Sequence, residues 1–248
     1  MMIKRKMMML IPIALILVSC GEENSQSTQI NDSTEVVKTP TSSSQIVSKE
    51  TPSSSSIEMS NSESISIVSF NGSYSSVQGK YGEVIIVNKK HPLSPDYAPG
   101  ENPEAKNALI QLIADMQSLG FSISNTYSGF RSYDYQASLY NTYVAQDGQV
   151  AADRYSARPG YSEHQTGLSF DLLDFNGNLL EELAASQWLA ENAHHYGFIV
   201  RYQAGKEAST GYMAETWHIR YIGSEATDIY HSGMTLEEYY HVPGGDYQ

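Results

Sequence analysis

The stretch SEHQTGLSFDLLD, residues 162–174, carries the imidazole of His164 and the carboxylate of Asp171 with no other charge between them. Small and apolar residues separate the two, a pattern typical of a turn that leads into a buried strand. Both side chains are preferred zinc ligands, and a catalytic zinc site commonly has three protein ligands and an open position for water. The stretch therefore predicts part of a zinc site or, alternatively, two polar residues that are satisfied separately by hydrogen bonds.

A third ligand would have to come from elsewhere in the chain. The histidine candidates are His91, His194, His195, His218, His231 and His241. His194 and His195 stand near the end of a predicted helix, where the helix dipole favours a cation and we expect a capping or solvated role. His218 lies instead in the strand-like run ETWHIRYI, three residues after Glu215. An unligated carboxylate there could take a proton from a zinc-activated water, although this spacing also occurs by chance.

Several helices and strands would have to position these residues. Strands are predicted in GEVIIVNKKH (82–91), FSISNTYSGF (121–130), LSFDLLD (168–174), FIVRY (198–202) and WHIRYI (217–222). One helix is predicted up to Gly120, with Asn102 as its cap and Pro103 at its first position, and a second begins after Ser132. Residues 186–197 and two short terminal segments also have helical patterns, and Thr235 with Glu238 predicts a capping box. The fold class is therefore α+β.

Composition and charge exclude some classes of partner. The formal net charge is −13, which argues against nucleic acid or another anionic polymer as the main partner. Cys20 is the single cysteine, so that no disulfide can form within the chain. Trp188 and Trp217 are predicted to lie in the core, whereas Arg154 and Arg158, in the loop before His164, are open candidates for substrate binding.

The N-terminal residues predict export. MMIKRKMMMLIPIALILVSC has a basic start and an apolar core that is too short to span a bilayer, as in a signal peptide covering residues 1–19. Its end, LVSC, resembles a bacterial lipobox, in which the cysteine is lipidated, so we expect Cys20 to anchor the protein at the extracellular face of the cytoplasmic membrane. Residues 20–75 are rich in Ser and Thr and predict a flexible tether, and 76–248 predict one compact domain.

Four motifs of this domain resemble the VanY-type carboxypeptidases. SGFRSYDYQASLY, ARPGYSEHQTGLSFDL, YGFIVRY and ETWHIRYIG occur in the order and at the spacing of that family, and GKYGE, PGENP and LEEYY add similarity to the exported L,D-carboxypeptidases of Gram-positive cocci. The resemblance covers all of 76–248. It implies a single zinc-peptidase domain of the Hedgehog/D-Ala-D-Ala carboxypeptidase type, with an antiparallel central sheet flanked by helices.

The resemblance also assigns roles to residues. It implies that His164, Asp171 and His218 hold one Zn²⁺ ion and that Glu215 is the general base. It further implies that Arg131 anchors the terminal carboxylate of the substrate and helps to stabilise the oxyanion. In the same family, the positions of Gln136 and Ser162 contact substrate. Without the resemblance, Arg131 would be interpreted as a surface arginine paired with one of the many acidic residues.

The implied activity is hydrolysis in the cell wall. The expected enzyme is a zinc-dependent peptidoglycan L,D-carboxypeptidase, which removes the terminal D-Ala from tetrapeptide stems. A D,D-carboxypeptidase acting on pentapeptide stems is the close alternative, and a non-catalytic, zinc-stabilised wall-binding domain is a third hypothesis, against which the presence of Glu215 argues. The expected partners are peptidoglycan stem peptides and the membrane, with the protein itself a monomer.

Overall fold

The computed structural model describes residues 67–247, which form two antiparallel sheets surrounded by helices. The strands of this part are β1 (Ser69–Phe70), β2 (Ser75–Gln78), β3 (Glu83–Ile86), β4 (Tyr127–Ser128), β5 (Ser169–Leu172), β6 (Phe198–Tyr202) and β7 (Glu215–Tyr221). The α-helices of this part are α1 (Pro103–Ser118), α2 (Tyr133–Asp147), α3 (Gln149–Tyr155), α4 (Leu183–Asn192), α5 (Glu207–Thr210), α6 (Ala226–Ser232) and α7 (Leu236–Tyr240). The predicted signal peptide, Cys20 and most of the predicted tether lie outside the described residues.

A central four-stranded sheet has the order β4-β5-β7-β6, and each neighbouring pair is antiparallel. The α+β class and the antiparallel sheet with flanking helices are therefore confirmed. Among residues 67–247, no helix is long and apolar enough to cross a membrane. The predicted strand over 121–130 is wrong in extent, because the ladder with β5 contains only Tyr127–Ser128 and the residues before them form no strand.

The N-terminal boundary of the folded part needs a correction. The second sheet is a meander of β1, β2 and β3, in which Ser69 pairs with Ser76 and Ser75 pairs with Ile86. The tether was predicted to extend to residue 75 because this segment is rich in serine. Backbone pairing to β3 nevertheless orders it, since a ladder of hydrogen bonds is made by the main chain whatever the side chain.

The central sheet has two different faces because side chains alternate along each strand. In β5, Phe170 and Leu172 point into the main core, whereas Ser169 and Asp171 point to the opposite side. The main core is completed by residues of α1 and α4, including Leu109, Leu112, Met116, Ala185 and Leu189. We call the side with Phe170 the apolar face and the side with Asp171 the polar face.

The helices that flank the sheet begin at the predicted caps. The side chain of Asn102 accepts the backbone N–H of Ala105, and that of Ser132 accepts the N–H of Tyr135. Thr235 and Glu238 form the predicted capping box of α7. Each cap satisfies a backbone donor that the first turn of a helix leaves free, which fixes where the helix starts. Residues 193–196, predicted as the end of one helix, form a 3₁₀ turn after α4.

Gly167 is needed where the turn before β5 crosses another loop. It has a φ of +70°, and a Cβ at this position would clash with the carbonyl oxygen of Gly100. Its carbonyl also accepts the backbone N–H of Asn102, the cap of α1. The small residue between His164 and Asp171 therefore lets the turn pack directly on the start of α1, which fixes the position of His164 relative to the sheet.

Candidate active site

Three predicted ligands converge on the polar face of the central sheet. Asp171 on β5 lies directly opposite His218 on β7, and His164 comes from the 3₁₀ turn Glu163–Thr166 just before β5. His218 Nδ1 lies 2.9 Å from Asp171 Oδ1, and His164 Nε2 lies 3.1 Å from Asp171 Oδ2. All three side chains are buried, and one donor atom from each lies within 4.8 Å of the others. The structure thus brings the predicted set together.

The donor atoms of this cluster fit a metal ion. His164 Nδ1 lies 2.7 Å from the carbonyl oxygen of Gly129, so this nitrogen carries the hydrogen and donates it. Nε2 of His164 is buried and has no hydrogen-bond partner within residues 67–247, although it faces Asp171. A buried nitrogen lone pair without a partner is costly unless something else coordinates it. Two imidazole nitrogens and one carboxylate oxygen form a donor set typical of catalytic zinc.

Charges around the cluster set the protonation of its members in the metal-free protein. Burial, together with the charge of Arg131, lowers the pKa of His164 to about 4, so this imidazole is neutral at pH 7. For His218, burial acts to lower the pKa, but Asp171 and Glu163 outweigh it and raise the pKa to about 9. Metal binding at His218 would therefore displace a proton.

Glu215 lies at the start of β7, beside the cluster but outside it. Its carboxylate is mostly buried, and Oε2 lies 3.8 Å from His218 Nδ1. Burial raises the pKa of Glu215 to about 7, against the opposing effect of the His218 charge. A carboxyl group with a pKa near neutrality can both accept and return a proton at physiological pH, which is the property required of a general acid–base.

Arg131 enters the same site from the segment between β4 and α2. Its Nη1 donates to Ser128 Oγ at 2.9 Å and to Asp171 Oδ2 at 3.2 Å. Its Nε is buried and has no partner among the described residues. The guanidinium is therefore fixed by two bonds while one of its donors stays free for an anionic group of a ligand.

Gln136 and Ser162 also border the site. Gln136, in the first turn of α2, donates from Nε2 to the carbonyl oxygen of Ala157 at 2.7 Å, and its Oε1 has no partner within residues 67–247. Ser162 precedes the turn that carries His164 and is buried. Both residues line the same cavity as the ligand cluster, and Gln136 offers a fixed acceptor to whatever occupies it.

The cavity has a volume of about 520 Å³, and its lining includes aromatic and apolar side chains besides the ligand cluster. These are Tyr135, Leu139, Tyr143, Tyr155, Tyr212 and Met213. Trp217 packs against the main core, as predicted, but it is only partly buried and also lines the cavity. The cavity has the size expected of a small-ligand site with a few polar groups at one end.

Two arginines that were open candidates lie elsewhere. Arg154 pairs with Glu207 on the surface, and Arg158 pairs with Asp153 while stacking on the ring of Tyr247. Neither lines the cavity. His194 is buried, stacked on Tyr230 at 4.0 Å between ring centroids, which corrects the expectation of a solvated or capping residue.

Sequence reasoning missed Glu163, which lies next to His164 and is completely buried. Burial alone would raise its pKa, but Arg201 and Arg220 hold the pKa of this carboxyl well below its usual range. The two arginines offered a signal, because a charged residue in the strand-like runs FIVRY and WHIRYI must find a partner if the strand is buried. The partner itself could not be identified without the fold.

Comparisons with known proteins agree with the geometry. The family model described as "VanY: D-alanyl-D-alanine carboxypeptidase" matches residues 100–224. The solved L,D-carboxypeptidase DacB of Streptococcus pneumoniae is 60% identical, covering 74% of this chain and 100% of that chain with a TM-score of 0.73. The LdcB LD-carboxypeptidase, whose structure concerns peptidoglycan recognition, is 59% identical, covering 75% of this chain and 100% of its own with a TM-score of 0.73.

A more distant relative was solved with a metal ion. A mutant of the vancomycin resistance D,D-pentapeptidase VanY, in complex with Zn(II), is 33% identical to this chain. The similarity covers 62% of this chain and 97% of that chain, with a TM-score of 0.55. The resemblance predicted from the sequence motifs is therefore confirmed.

Proposed function

This chain belongs to the VanY family of D-alanyl-D-alanine carboxypeptidases, and we propose that it is the family's zinc-dependent L,D-type, which removes the terminal D-Ala from peptidoglycan tetrapeptide stems. The buried cluster of His164, Asp171 and His218 beside Glu215 carries this proposal. The identity of about 60% to two L,D-carboxypeptidases over their full length supports the substrate class.

The metal would be held by His164 Nε2, an oxygen of Asp171 and His218 Nδ1. Bound there, Zn²⁺ would supply a Lewis acid for the scissile carbonyl and would lower the pKa of a water molecule towards neutrality. The chain prepares this site by fixing the ring of His164 through its other nitrogen, which donates to the carbonyl oxygen of Gly129. Such an outer contact determines which nitrogen of the ring is free to ligate.

Glu215 would handle the proton in both halves of the hydrolysis. It takes a proton from the attacking water as the new C–O bond forms at the scissile carbonyl. It then returns this proton to the nitrogen of the departing D-Ala as the C–N bond breaks. The same carboxyl can do both because it is mostly buried beside the ligand cluster, and in the metal-free protein this burial raises the pKa of Glu215 above its ordinary value.

Arg131 would bind the terminal carboxylate of the stem and reduce the cost of charge that develops on the scissile oxygen. Its guanidinium is already oriented by Ser128 and Asp171, so little freedom is lost on binding. Gln136 and Ser162 would add hydrogen bonds at the same end of the cavity. The aromatic and apolar side chains of the lining would then contact the rest of the stem peptide.

The D,D-carboxypeptidase acting on pentapeptide stems remains the second candidate. It is favoured by the family description and by the relationship to the D,D-pentapeptidase, which is weaker at 33% identity. The third hypothesis, a wall-binding domain without activity, does not account for the buried carboxyl of Glu215 at the edge of the ligand cluster.

A muropeptide assay tests the proposal. Purified protein loaded with zinc is incubated with tetrapeptide and pentapeptide stems beside the Glu215→Gln variant, and D-Ala release and zinc content are measured. We expect release from the tetrapeptide by the wild type only, with equal zinc content in both proteins. Release from the pentapeptide alone would support the D,D-type, and zinc binding with no release by either protein would support the wall-binding domain.

We further propose that the protein is exported and anchored through a lipid on Cys20. The basis is the sequence of the first 20 residues, which lie outside the described structure. Mass spectrometry of the N-terminal peptide from detergent-extracted protein should show a diacylated cysteine at position 20. The Cys20→Ala variant should lack this modification and leave the membrane fraction, and an unmodified wild-type peptide beginning at Met1 would contradict the proposal.

A further inference from the structure

Behind the ligand cluster lies a second group of ionisable side chains that carries no substrate-binding or catalytic role in the mechanism above. It consists of Glu163, Arg201, Arg220 and Glu237, which we call the buried charge cluster. None of these four residues is more than 3% exposed. Burying charges is costly unless each finds its partner, so a fully enclosed group of four requires an explanation.

The two oxygens of Glu163 have different partners. Oε1 accepts hydrogen bonds from Arg201 Nε at 2.8 Å and from Arg220 Nη1 at 2.9 Å. Oε2 accepts from Ser169 Oγ at 3.1 Å and lies 3.3 Å from His218 Nε2. An ionised carboxylate only accepts hydrogen bonds, so the hydrogen of this last contact belongs to His218 Nε2. Nδ1, the nitrogen that faces Asp171 at 2.9 Å, is then the one that would lose its hydrogen and offer its lone pair when a metal binds.

We propose that Glu163 is a positioning residue for metal binding, which fixes the orientation and tautomer of His218, and that Arg201 and Arg220 hold its carboxylate in place. The inference rests on the proposed function, since it concerns His218 as a metal ligand. Outer carboxylates that accept from a ligating histidine also make the ring a better donor to the metal, and losing such a contact commonly weakens metal binding about 10–100-fold.

The arginines are themselves fixed by distant parts of the chain. Arg201 Nη1 donates to Glu237 Oε2 at 2.8 Å, and Glu237 belongs to the C-terminal helix α7. Arg220 Nη2 donates to the carbonyl oxygen of Ile85 at 2.8 Å, in β3 of the N-terminal sheet. The buried charge cluster therefore connects both ends of the folded domain to the ring of His218. This gives the LEEYY segment, which contains Glu237, a role in supporting the metal site.

The charge balance of the buried charge cluster indicates that zinc binding depends on the negative charge of Glu163. Two carboxylates face two guanidinium groups, so the cluster is neutral when His218 is neutral. Removing the charge of Glu163 would leave an excess of positive charge beneath a site that has to bind a cation. Such repulsion acts in a medium of low polarity, where charges are poorly screened. Zinc affinity should therefore decrease even if the shape of the side chain is kept.

The test compares Glu163→Gln with Glu225→Gln in the full mature protein. Glu225 is also buried, but its carboxylate accepts the backbone N–H of Lys80 and contacts no ligand of the metal. The Zn²⁺ dissociation constant is measured by competition with a chromogenic chelator, and thermal unfolding of the metal-free proteins is measured in parallel. We expect Glu163→Gln to bind zinc about 10–100-fold more weakly than the wild type. Glu225→Gln should bind zinc with the affinity of the wild type.

A second measurement does not depend on any variant. In zinc-loaded wild-type protein labelled with ¹⁵N, long-range ¹H–¹⁵N spectra report which ring nitrogen of His218 carries the hydrogen. We expect Nε2. A hydrogen on Nδ1, or Glu163→Gln binding zinc with wild-type affinity, would overturn the inference, and the spectrum decides alone if the variant does not fold. Neither readout involves turnover, so wild-type protein that binds zinc but releases no D-Ala would contradict the proposed function and leave this inference standing.

Discussion

The two faces of the central sheet are built from the same strands but are stabilised by different interactions. On the apolar face, Phe170, Phe198 and Ile219 pack against helices, and their contribution depends on the area removed from water. On the polar face, one residue away along β5 and β7, Asp171 and His218 are also buried, but their contribution depends on specific partners. A single alternating strand thus supplies both the stability of the domain and its chemistry.

The polar face is itself divided into a paired part and an unpaired part. Residues 67–247 contain five buried side-chain polar atoms without a hydrogen-bond partner, and three of them, on Arg131, Gln136 and His164, border the cavity. No atom of the buried charge cluster is among the five. Buried polar atoms without partners are costly, so their concentration in one place agrees with the proposed binding of a metal and a substrate there.

Loss of a proposed metal ligand on the polar face should have the largest effect on activity and on zinc content. In Asp171→Ala, the only carboxylate of the ligand cluster is removed, and D-Ala release should fall below detection together with the zinc content. Circular dichroism should still show a folded protein, because Phe170 and Leu172 keep their places in the main core. Stoichiometric zinc with unchanged turnover in this variant would remove Asp171 from the ligand set.

The adjacent residue on the other face should give the opposite result. Phe170→Ala removes a completely buried ring and should reduce the free energy of unfolding by about 3–5 kcal/mol, measured by urea titration of the metal-free protein. At low temperature, where the variant is still folded, its zinc content should be stoichiometric and its turnover should stay within about tenfold of the wild type. Loss of zinc in folded Phe170→Ala would show that the two faces are not independent.

The apolar face was the easier of the two to predict from sequence. Alternation in LSFDLLD and WHIRYI is a local pattern, and so are the caps Asn102, Ser132 and Thr235, all of which the structure confirms. The short strands β1 and β2 were missed because their serine-rich sequence has no such pattern and their pairing is determined by β3. Local patterns predict elements well only where burial imposes a period.

The polar face required information that spacing does not contain. Asp171 and His218 are 47 residues apart, and Glu163 and Arg220 are 57 apart, so their contacts exist only once β5 and β7 pair. The proposed ligands came from the family motifs. Glu163 was missed although it stands inside the motif ARPGYSEHQTGLSFDL, because its proposed role depends on Arg201 and Arg220, which the fold alone brings to it.

Substitution of Arg131, in the unpaired part of the polar face, should have an intermediate effect on activity. Arg131→Lys keeps the charge but replaces the planar fork by a single ammonium group, which cannot bond Ser128, Asp171 and a substrate carboxylate together. A hydrogen bond to a charged group contributes about 1.5–3 kcal/mol, so kcat/KM should decrease about 10–100-fold. Zinc should still bind stoichiometrically, because all three proposed ligands are kept. Steady-state kinetics with tetrapeptide stems check this, and unchanged kcat/KM would place the substrate carboxylate elsewhere.

The smallest effect concerns His194, an ionisable group on neither face of the central sheet. Its ring is buried against Tyr230, and Nδ1 lies 3.2 Å from Thr227 Oγ1. Burial, with His195 and His231 nearby, lowers the pKa of His194 below the ordinary value of 6.5. As the pH decreases, the unfolded chain therefore binds a proton at a higher pH than the folded one. The contribution of His194 to the free energy of unfolding is complete above pH 6.5 and is lost as the pH falls below it.

His194→Asn isolates this contribution, because asparagine can keep a bond to Thr227 but does not titrate. Urea unfolding of both metal-free proteins at pH 7.5, 6.5 and 5.5 should show the stability of the wild type falling relative to the variant at the lowest pH. Taking the difference between the two proteins cancels the titration of the ligand cluster, which both share. If the difference in free energy of unfolding between the two proteins does not change with pH, the folded protein accommodates a charged His194. A buried position beside the sheet would then tolerate a charge without the ion pairs that the polar face requires.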